Sequence, residues 1–159
     1  MTITIRRATL ADLPALLELY LQLHPDDPRP PAETARRVWA RMEAQEGRTV
    51  LVAVADGPAD GTPGEEVVAG TADCTVMANL TRGGRPYLLV ENVVVDRAFR
   101  RRGVGRRLMA AAADLGRAAG CYKVQLTAAD TEEAHAFYEA CGFRHRSRSY
   151  KLYLDSDRG

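Results

Sequence analysis

Thr2 to Arg7 alternates polar and apolar residues, the period of two that predicts a strand with one buried face. Leu13, Leu16, Leu17, Tyr20 and Leu21 follow at helical spacing, behind a Thr9 suited to an N-cap. A loop rich in Pro and Asp, from His24 to Pro31, leads to a second helical stretch from about Ala32 to Ala44, which carries Val38, Trp39 and Met42 and is closed by Gly47. The apolar runs Val50 to Ala55 and Val67 to Met77 predict two strands, joined as a hairpin by the Gly, Pro and Asp cluster from Asp56 to Gly64. After a turn at Gly83 and Gly84 comes Tyr87 to Val95. Its closing Val93-Val94-Val95 is the pattern of a strand buried on both faces, which predicts a central position.

Val104, Leu108, Ala111, Ala112, Leu115 and Ala119 then mark a long helix ended by Gly120, with a strand from Tyr122 to Thr127 directly after it. Strand, helix and strand make a crossover unit. Asp130 or Thr131 can cap a shorter helix that runs to about Cys141 and stops at Gly142, and Arg144 to Tyr153 predicts one or two closing strands. This order predicts an α/β fold, a mixed sheet with helices packed on its faces.

With 159 residues, 46% of them hydrophobic, the chain has material for one domain spanning 1–159 around one core. Lys and Arg total 22 against 21 Asp and Glu, so the net charge of +1 offers no global attraction to nucleic acid or membranes. No apolar run approaches the roughly 18 residues of a membrane helix, and no signal-peptide pattern is visible. Cys74, Cys121 and Cys141 are far apart, odd in number and without a C-x-x-C pair, which predicts a reducing, cytoplasmic setting and no zinc site.

The stretch Arg100-Arg101-Arg102-Gly103-Val104-Gly105-Arg106 lies between the predicted central strand and the first turn of the long helix. Backbone N–H groups at a helix start have no internal partner and sit at the positive end of the macrodipole, so they bind anions. Gly103 and Gly105 remove side chains that would hold a phosphate off that backbone, and Arg100, Arg101, Arg102, Arg106 and Arg107 add charge there. So many arginines fit a cofactor with a pyrophosphate and a further phosphate; the alternative is a turn with a solvated basic patch. A dinucleotide fingerprint would need Gly where Leu108 stands, and no aromatic platform accompanies the arginines for nucleic acid.

Arg100-x-x-Gly103-x-Gly105, following Glu91-Asn92-Val93-Val94-Val95-Asp96, resembles the acetyl-coenzyme A motif of the GNAT acetyltransferase superfamily. Ile5-Arg6-Arg7-Ala8-Thr9 with Asp12-Leu13-Pro14 resembles the family's first strand and helix, and Ala134-x-x-Phe137-Tyr138-x-x-x-Gly142-Phe143 its late helix and following strand. Gly120 to Val124 and Phe137 to Phe143 are similar to glucosamine-6-phosphate N-acetyltransferases, and Ala134-His135-x-Phe137-Tyr138 to aminoalkylphosphonate acetyltransferases. The resemblance implies the acyl-CoA N-acyltransferase fold, a six- or seven-stranded mixed sheet with about four helices. It also implies acetyl-coenzyme A as cofactor, a small-molecule amine as acceptor, and a homodimer. Carried over, it places the pantetheine arm along the backbone of Val93, Val94 and Val95, which splays from the strand at Val124. It places the pyrophosphate on the amides from Arg101 through Arg102, Gly103, Val104 and Gly105 to Arg106, and Tyr138 near the thioester sulfur. Thr131 falls at a cofactor contact where many members carry Asn.

Acyl transfer to an amine needs a neutral amine, a donor for the developing oxyanion and a proton for the departing thiolate. A backbone N–H on the Val93 to Val95 strand can supply the second role. Tyr138 has the hydroxyl for the third, the alternative being an aromatic packed beside Phe137. Glu91, two residues before Val93, is the candidate base, the alternative being a solvated strand-edge carboxylate. His135, a lone His on a helix face, reads as a bystander, and no further ligand clusters in sequence near His24, Asp26 and Asp27, so no metal is expected. Cys121 and Cys141 have no paired His, which predicts direct attack in a ternary complex rather than an acyl-Cys intermediate. The alternatives are a protein amine as acceptor and a chain that senses acetyl-coenzyme A without turnover, the latter disfavoured by Glu91 and Tyr138. The loop from His24 to Pro31 and the region Met77 to Tyr87 are expected to shape the acceptor cleft.

Overall fold

The computed structural model describes residues 1–62 and 64–154, so Pro63 of the predicted hairpin turn lies outside the described residues. They fall into two compact units, one from Met1 to Leu126 and one that begins at Thr127.

In the first unit, strands β1 (Ile3–Arg7), β2 (Arg48–Ala55), β3 (Val67–Met77), β4 (Tyr87–Val95) and β5 (Val124–Leu126) form one sheet in sequence order. Neighbours from β1 to β4 are antiparallel, and β5 joins β4 in parallel. The parallel step requires a crossover, supplied by helix α4 (Val104–Ala118). Helices α1 (Leu13–Leu23) and α2 (Ala32–Ala44) and the four-residue helical turn α3 (Thr81–Gly84) complete this unit.

Side-chain alternation sorts the two faces of the sheet. Val50, Val52 and Val54 of β2 pack with Ala8, Leu16 and Trp39 in a buried cluster that draws on both α1 and α2. The other face receives α4. Gly70 of β3 makes that approach close, because a Cβ there would stand 2.9 Å from the Val94 carbonyl oxygen and about 3.3 Å from the side chains of Val104 and Leu108. The entry to α1 is held electrostatically. Asp12, 6% exposed, accepts two 2.8 Å bonds from the Arg6 guanidinium and one of 2.7 Å from the Thr9 amide. The Arg6 hydrogen bonds hold its carboxyl below the usual carboxylate range, against the opposing effect of burial.

In the second unit, helix α5 (Glu132–Ala140) is capped by Thr131, whose Oγ1 accepts from the Ala134 amide at 3.2 Å. Tyr138 packs edge-on against Phe137 and Phe143, at ring separations of 4.9 and 5.8 Å.

The five-stranded mixed sheet is the expected architecture with fewer strands than the six or seven implied. The closing strands expected between Arg144 and Tyr153 carry no strand assignment. Their polar and apolar alternation suits a strand, but a strand needs a neighbour for its backbone groups, and none pairs there among the described residues. Tyr150 and Leu152 are instead 93% and 85% exposed. The expected strand Tyr122 to Thr127 shortens to Val124–Leu126, and the Thr9 cap serves a short 3-10 turn, Leu10–Asp12, ahead of α1.

Candidate functional site

The register of β3 and β4 contains an irregularity. Thr71 pairs with Val94 and Asp73 with Glu91, so both Asn92 and Val93 stand opposite Ala72. This is a bulge, and Asn92 occupies it at φ 51°, in the left-handed region that Asn tolerates better than most residues. On the opposite edge, β5 pairs with β4 only from Leu88 to Val90. From Glu91 to Val95, β4 has no partner strand on that side among the described residues, so its outward backbone groups short of the Val95 carbonyl are open to an extended ligand. Val93-Val94-Val95 is therefore not a fully enclosed central strand. Val94 is buried, but Val93 and Val95 keep partial exposure because the strand next door has ended.

Directly beyond, the chain turns into α4. Asp96 caps a single 3-10 turn by accepting from the Ala98 amide at 2.8 Å, and Arg100 returns its Nε to the Val95 carbonyl at 3.3 Å. Arg101 and Gly103 both take positive φ, 63° and 79°. Gly103 is the N-cap of α4, and a Cβ added to it would meet nothing within 4 Å, so the space above this backbone is open. By helix geometry the amides of Val104, Gly105 and Arg106 have no partner in their own helix. Arg101, Arg102 and Arg106 are exposed around it. Arg107 departs from the predicted charge cluster, since its guanidinium donates to the Ile3 carbonyl at 2.9 Å and ties α4 to β1. The open β4 edge and the open helix start thus adjoin, and a thioester cofactor with a pyrophosphate fits that pair of features.

On the α1 and α2 face lies a cavity of about 310 Å³. Leu13, Leu17 and Leu21 of α1, with Val38, Trp39 and Met42 of α2, form its apolar wall, and Asn92 of the bulge reaches it from β4. The expected contribution of the His24 to Pro31 loop is present as His24, Asp27, Pro28, Arg29 and Pro30, whereas no residue from Met77 to Tyr87 lines it. Glu91, exposed, stands opposite Asp73 and so shares the face of the sheet with Asp73 and Thr71.

Three positioning features escaped the sequence reading. Asp73, 3% exposed, takes a bidentate pair from Arg48, at 3.0 Å from Nε and 2.5 Å from a terminal nitrogen. Tyr20 borders both the cavity and this pair, and burial first, then the Asp73 charge, pushes its phenol up to about 12. Gln22 of α1 reaches 74 residues along the chain to the exit of β4, donating to Asp96 at 2.8 Å and accepting from the Arg97 amide at 3.0 Å. The one available signal was Asn92, a residue tolerant of positive φ inside an otherwise apolar strand.

The remaining candidates belong to the second unit. Burial holds the Tyr138 phenol above its ordinary range, so it stays protonated. Thr131 uses its hydroxyl as the α5 cap, and His135 pairs with Asp130 at 3.3 Å and stacks on His145. The thiols of Cys74, pushed up to about 12 by burial, and of Cys121, also raised by burial, are poor thiolate sources.

The family model for the acetyltransferase (GNAT) family matches residues 13–143. A glucosamine 6-phosphate N-acetyltransferase of Trypanosoma brucei brucei is 38% identical over 87 residues, which span 55% of this chain and 58% of that protein. An aminoglycoside N(6')-acetyltransferase type 1 of Stenotrophomonas maltophilia is 31% identical over 148 residues, 91% of this chain and 88% of its own. A solved Agrobacterium tumefaciens str. C58 protein assigned as an acetyltransferase superposes with a TM-score of 0.83 at 40% identity, covering 95% of this chain and 99% of its own. With the open β4 edge, the glycine-capped start of α4 and a family match over most of its length, the chain belongs to the acetyltransferase (GNAT) family, whose members use acetyl-coenzyme A.

Proposed function

We propose that the whole chain acts as one N-acetyltransferase domain that transfers acetyl to the primary amine of a small molecule, by direct attack with both substrates bound. The observation that carries this reading is the β4 edge from Glu91 to Val95, left open by the end of β5 and running into the Gly103 start of α4. Acetyl-coenzyme A, when bound, supplies an acetyl group activated as a thioester. The backbone of Val93 to Val95 would hold its extended arm, and an amide on that strand would donate to the developing oxyanion. The amides from Arg101 to Arg106 would bind its pyrophosphate, with Arg100, Arg101, Arg102 and Arg106 adding charge.

The acceptor amine enters from the α1 and α2 cavity, which reaches β4 at Asn92. Glu91, beside Asn92, takes the amine proton directly or through water. Tyr138, kept protonated by burial, gives its proton to the thiolate. An acyl-Cys route is disfavoured by the raised thiols of Cys74 and Cys121. Cysteines outside any disulfide fit a cytoplasmic setting. The exposed Tyr150 and Leu152 fit a homodimer in which a second copy covers them.

A free-thiol assay across a panel of primary amines tests the reading. Thiol release that needs both acetyl-coenzyme A and an amine is expected. Binding of acetyl-coenzyme A with no release for any small amine would transfer the case to a protein acceptor or a sensor.

A further inference from the structure

Resting on the reading of this cavity as the acceptor site, we infer that the acceptor is a primary amine with an apolar aryl or alkyl body and no phosphate, unlike the sugar phosphate named for the trypanosomal relative. Leu13, Leu17, Leu21, Val38, Trp39 and Met42 give the wall six side chains that offer contact area and no charge, beside the polar His24, Asp27 and Arg29 of the loop between α1 and α2. Phosphate recognition needs a cation or a cluster of free donors. Arg29 is the one Lys or Arg along the wall, and its guanidinium is already paired with the Glu18 carboxylate. Of the other donors, His24 is a single imidazole on the same loop as the Asp27 carboxylate, the Tyr20 hydroxyl is engaged with Thr71, and Trp39 Nε1 is buried without a partner and so out of a ligand's reach.

The β4 end offers an amide and a neighbouring carboxylate instead. Asn92 marks where the cavity meets β4, and the Glu91 carboxylate is the next residue along that strand. An amine arriving as its ammonium form meets an acidic end and an apolar body, the reverse of what an amino-sugar phosphate presents. A cavity of about 310 Å³ holds a ring or a short chain of this kind, at the small end of the range for ligand pockets.

The chain has one tryptophan, and it is Trp39 in this wall, so intrinsic emission reports occupancy without any turnover. The protein is titrated with phenethylamine, hexylamine and glucosamine 6-phosphate, following Trp39 emission, and thiol release is measured in parallel with acetyl-coenzyme A present. We expect saturable changes with the two apolar amines, at Kd values at least about tenfold below that of glucosamine 6-phosphate. Val38→Asp, on the exposed side of α2, should weaken the apolar amines by about fivefold or more, and Leu17→Asn likewise. Equal or tighter binding of glucosamine 6-phosphate, or emission unmoved by either apolar amine, overturns the inference. Thiol release with glucosamine 6-phosphate in that case leaves the transfer activity standing. Apolar amines that bind without thiol release support the pocket chemistry and overturn transfer to a small amine instead.

Discussion

The cradle at the start of α4 and the cavity between α1 and α2 are built on opposite principles. The cradle is made of backbone: amides without helical partners, a glycine cap at φ 79°, and a strand edge from Glu91 to Val95 with no partner strand on its outer side among the described residues. The cavity is made of side chains brought from α1, α2, the loop between them and the β4 bulge. Backbone can bind the same cofactor whatever residues surround it, provided glycine stands where space or positive φ requires it. Side chains decide which acceptor fits, and two relatives with acceptors as different as glucosamine 6-phosphate and an aminoglycoside accord with that division.

Substitutions can break this comparison. The largest effect is expected at Tyr138, where Tyr138→Phe should lower kcat by about 10²-fold or more and leave acetyl-coenzyme A affinity unchanged. Because burial raises this phenol above 10 and a general acid must be protonated, the wild-type rate should hold through neutral pH and decline only at alkaline pH beyond the ordinary tyrosine range. Tyr138→Phe should lose that alkaline decline. A variant with unchanged kcat would return Tyr138 to a packing role beside Phe137 and Phe143.

Next comes Gly103→Asp, which adds a carboxylate to the cradle and should raise the acetyl-coenzyme A Kd by at least about tenfold, with amine binding to Trp39 unaffected. Gly103→Asn tolerates the same positive φ without the charge and should have a smaller effect, which separates charge from backbone strain. Leu17→Asn should do the converse, weakening an apolar amine by about fivefold while sparing the cofactor. If either change moved both affinities equally, the cradle and the cavity would not be separate sites.

The smallest effect concerns stability. Asp12 titrates below its ordinary value near 3.8, chiefly because Arg6 hydrogen-bonds it, so its contribution is complete at neutral pH. That contribution is lost as pH falls below about 4 toward the lowered folded-state value. Asp12→Asn should lower Tm at pH 7 and flatten its fall on acidification, measured by thermal melts between roughly pH 3 and 7. An unchanged acid limb would remove Asp12 from the account.

The same division explains what could be read from the chain. Ala32–Ala44, Val67–Met77 and Tyr87–Val95 follow from local periodicity, because each needs only its own residues to show an apolar face. The cradle was legible for a related reason: its glycines and arginines are contiguous. The Arg48–Asp73 pair and the Gln22 clasp on Asp96 were not, since each joins residues separated by 25 and 74 positions and depends on strand register. The bulge at Asn92 was hidden too, as two residues opposing one is a property of the pair β3 and β4 rather than of either strand. In Arg144 to Tyr153 local alternation misled, because a strand is completed only by its neighbour.

Calorimetric titration with acetyl-coenzyme A reads the cofactor site itself. Saturable binding at one site per chain is expected, weakened by at least about tenfold in Gly103→Asp. No heat of binding at millimolar cofactor, or binding indifferent to Gly103→Asp, would contradict the assignment of the β4 edge and the α4 start as the cofactor site.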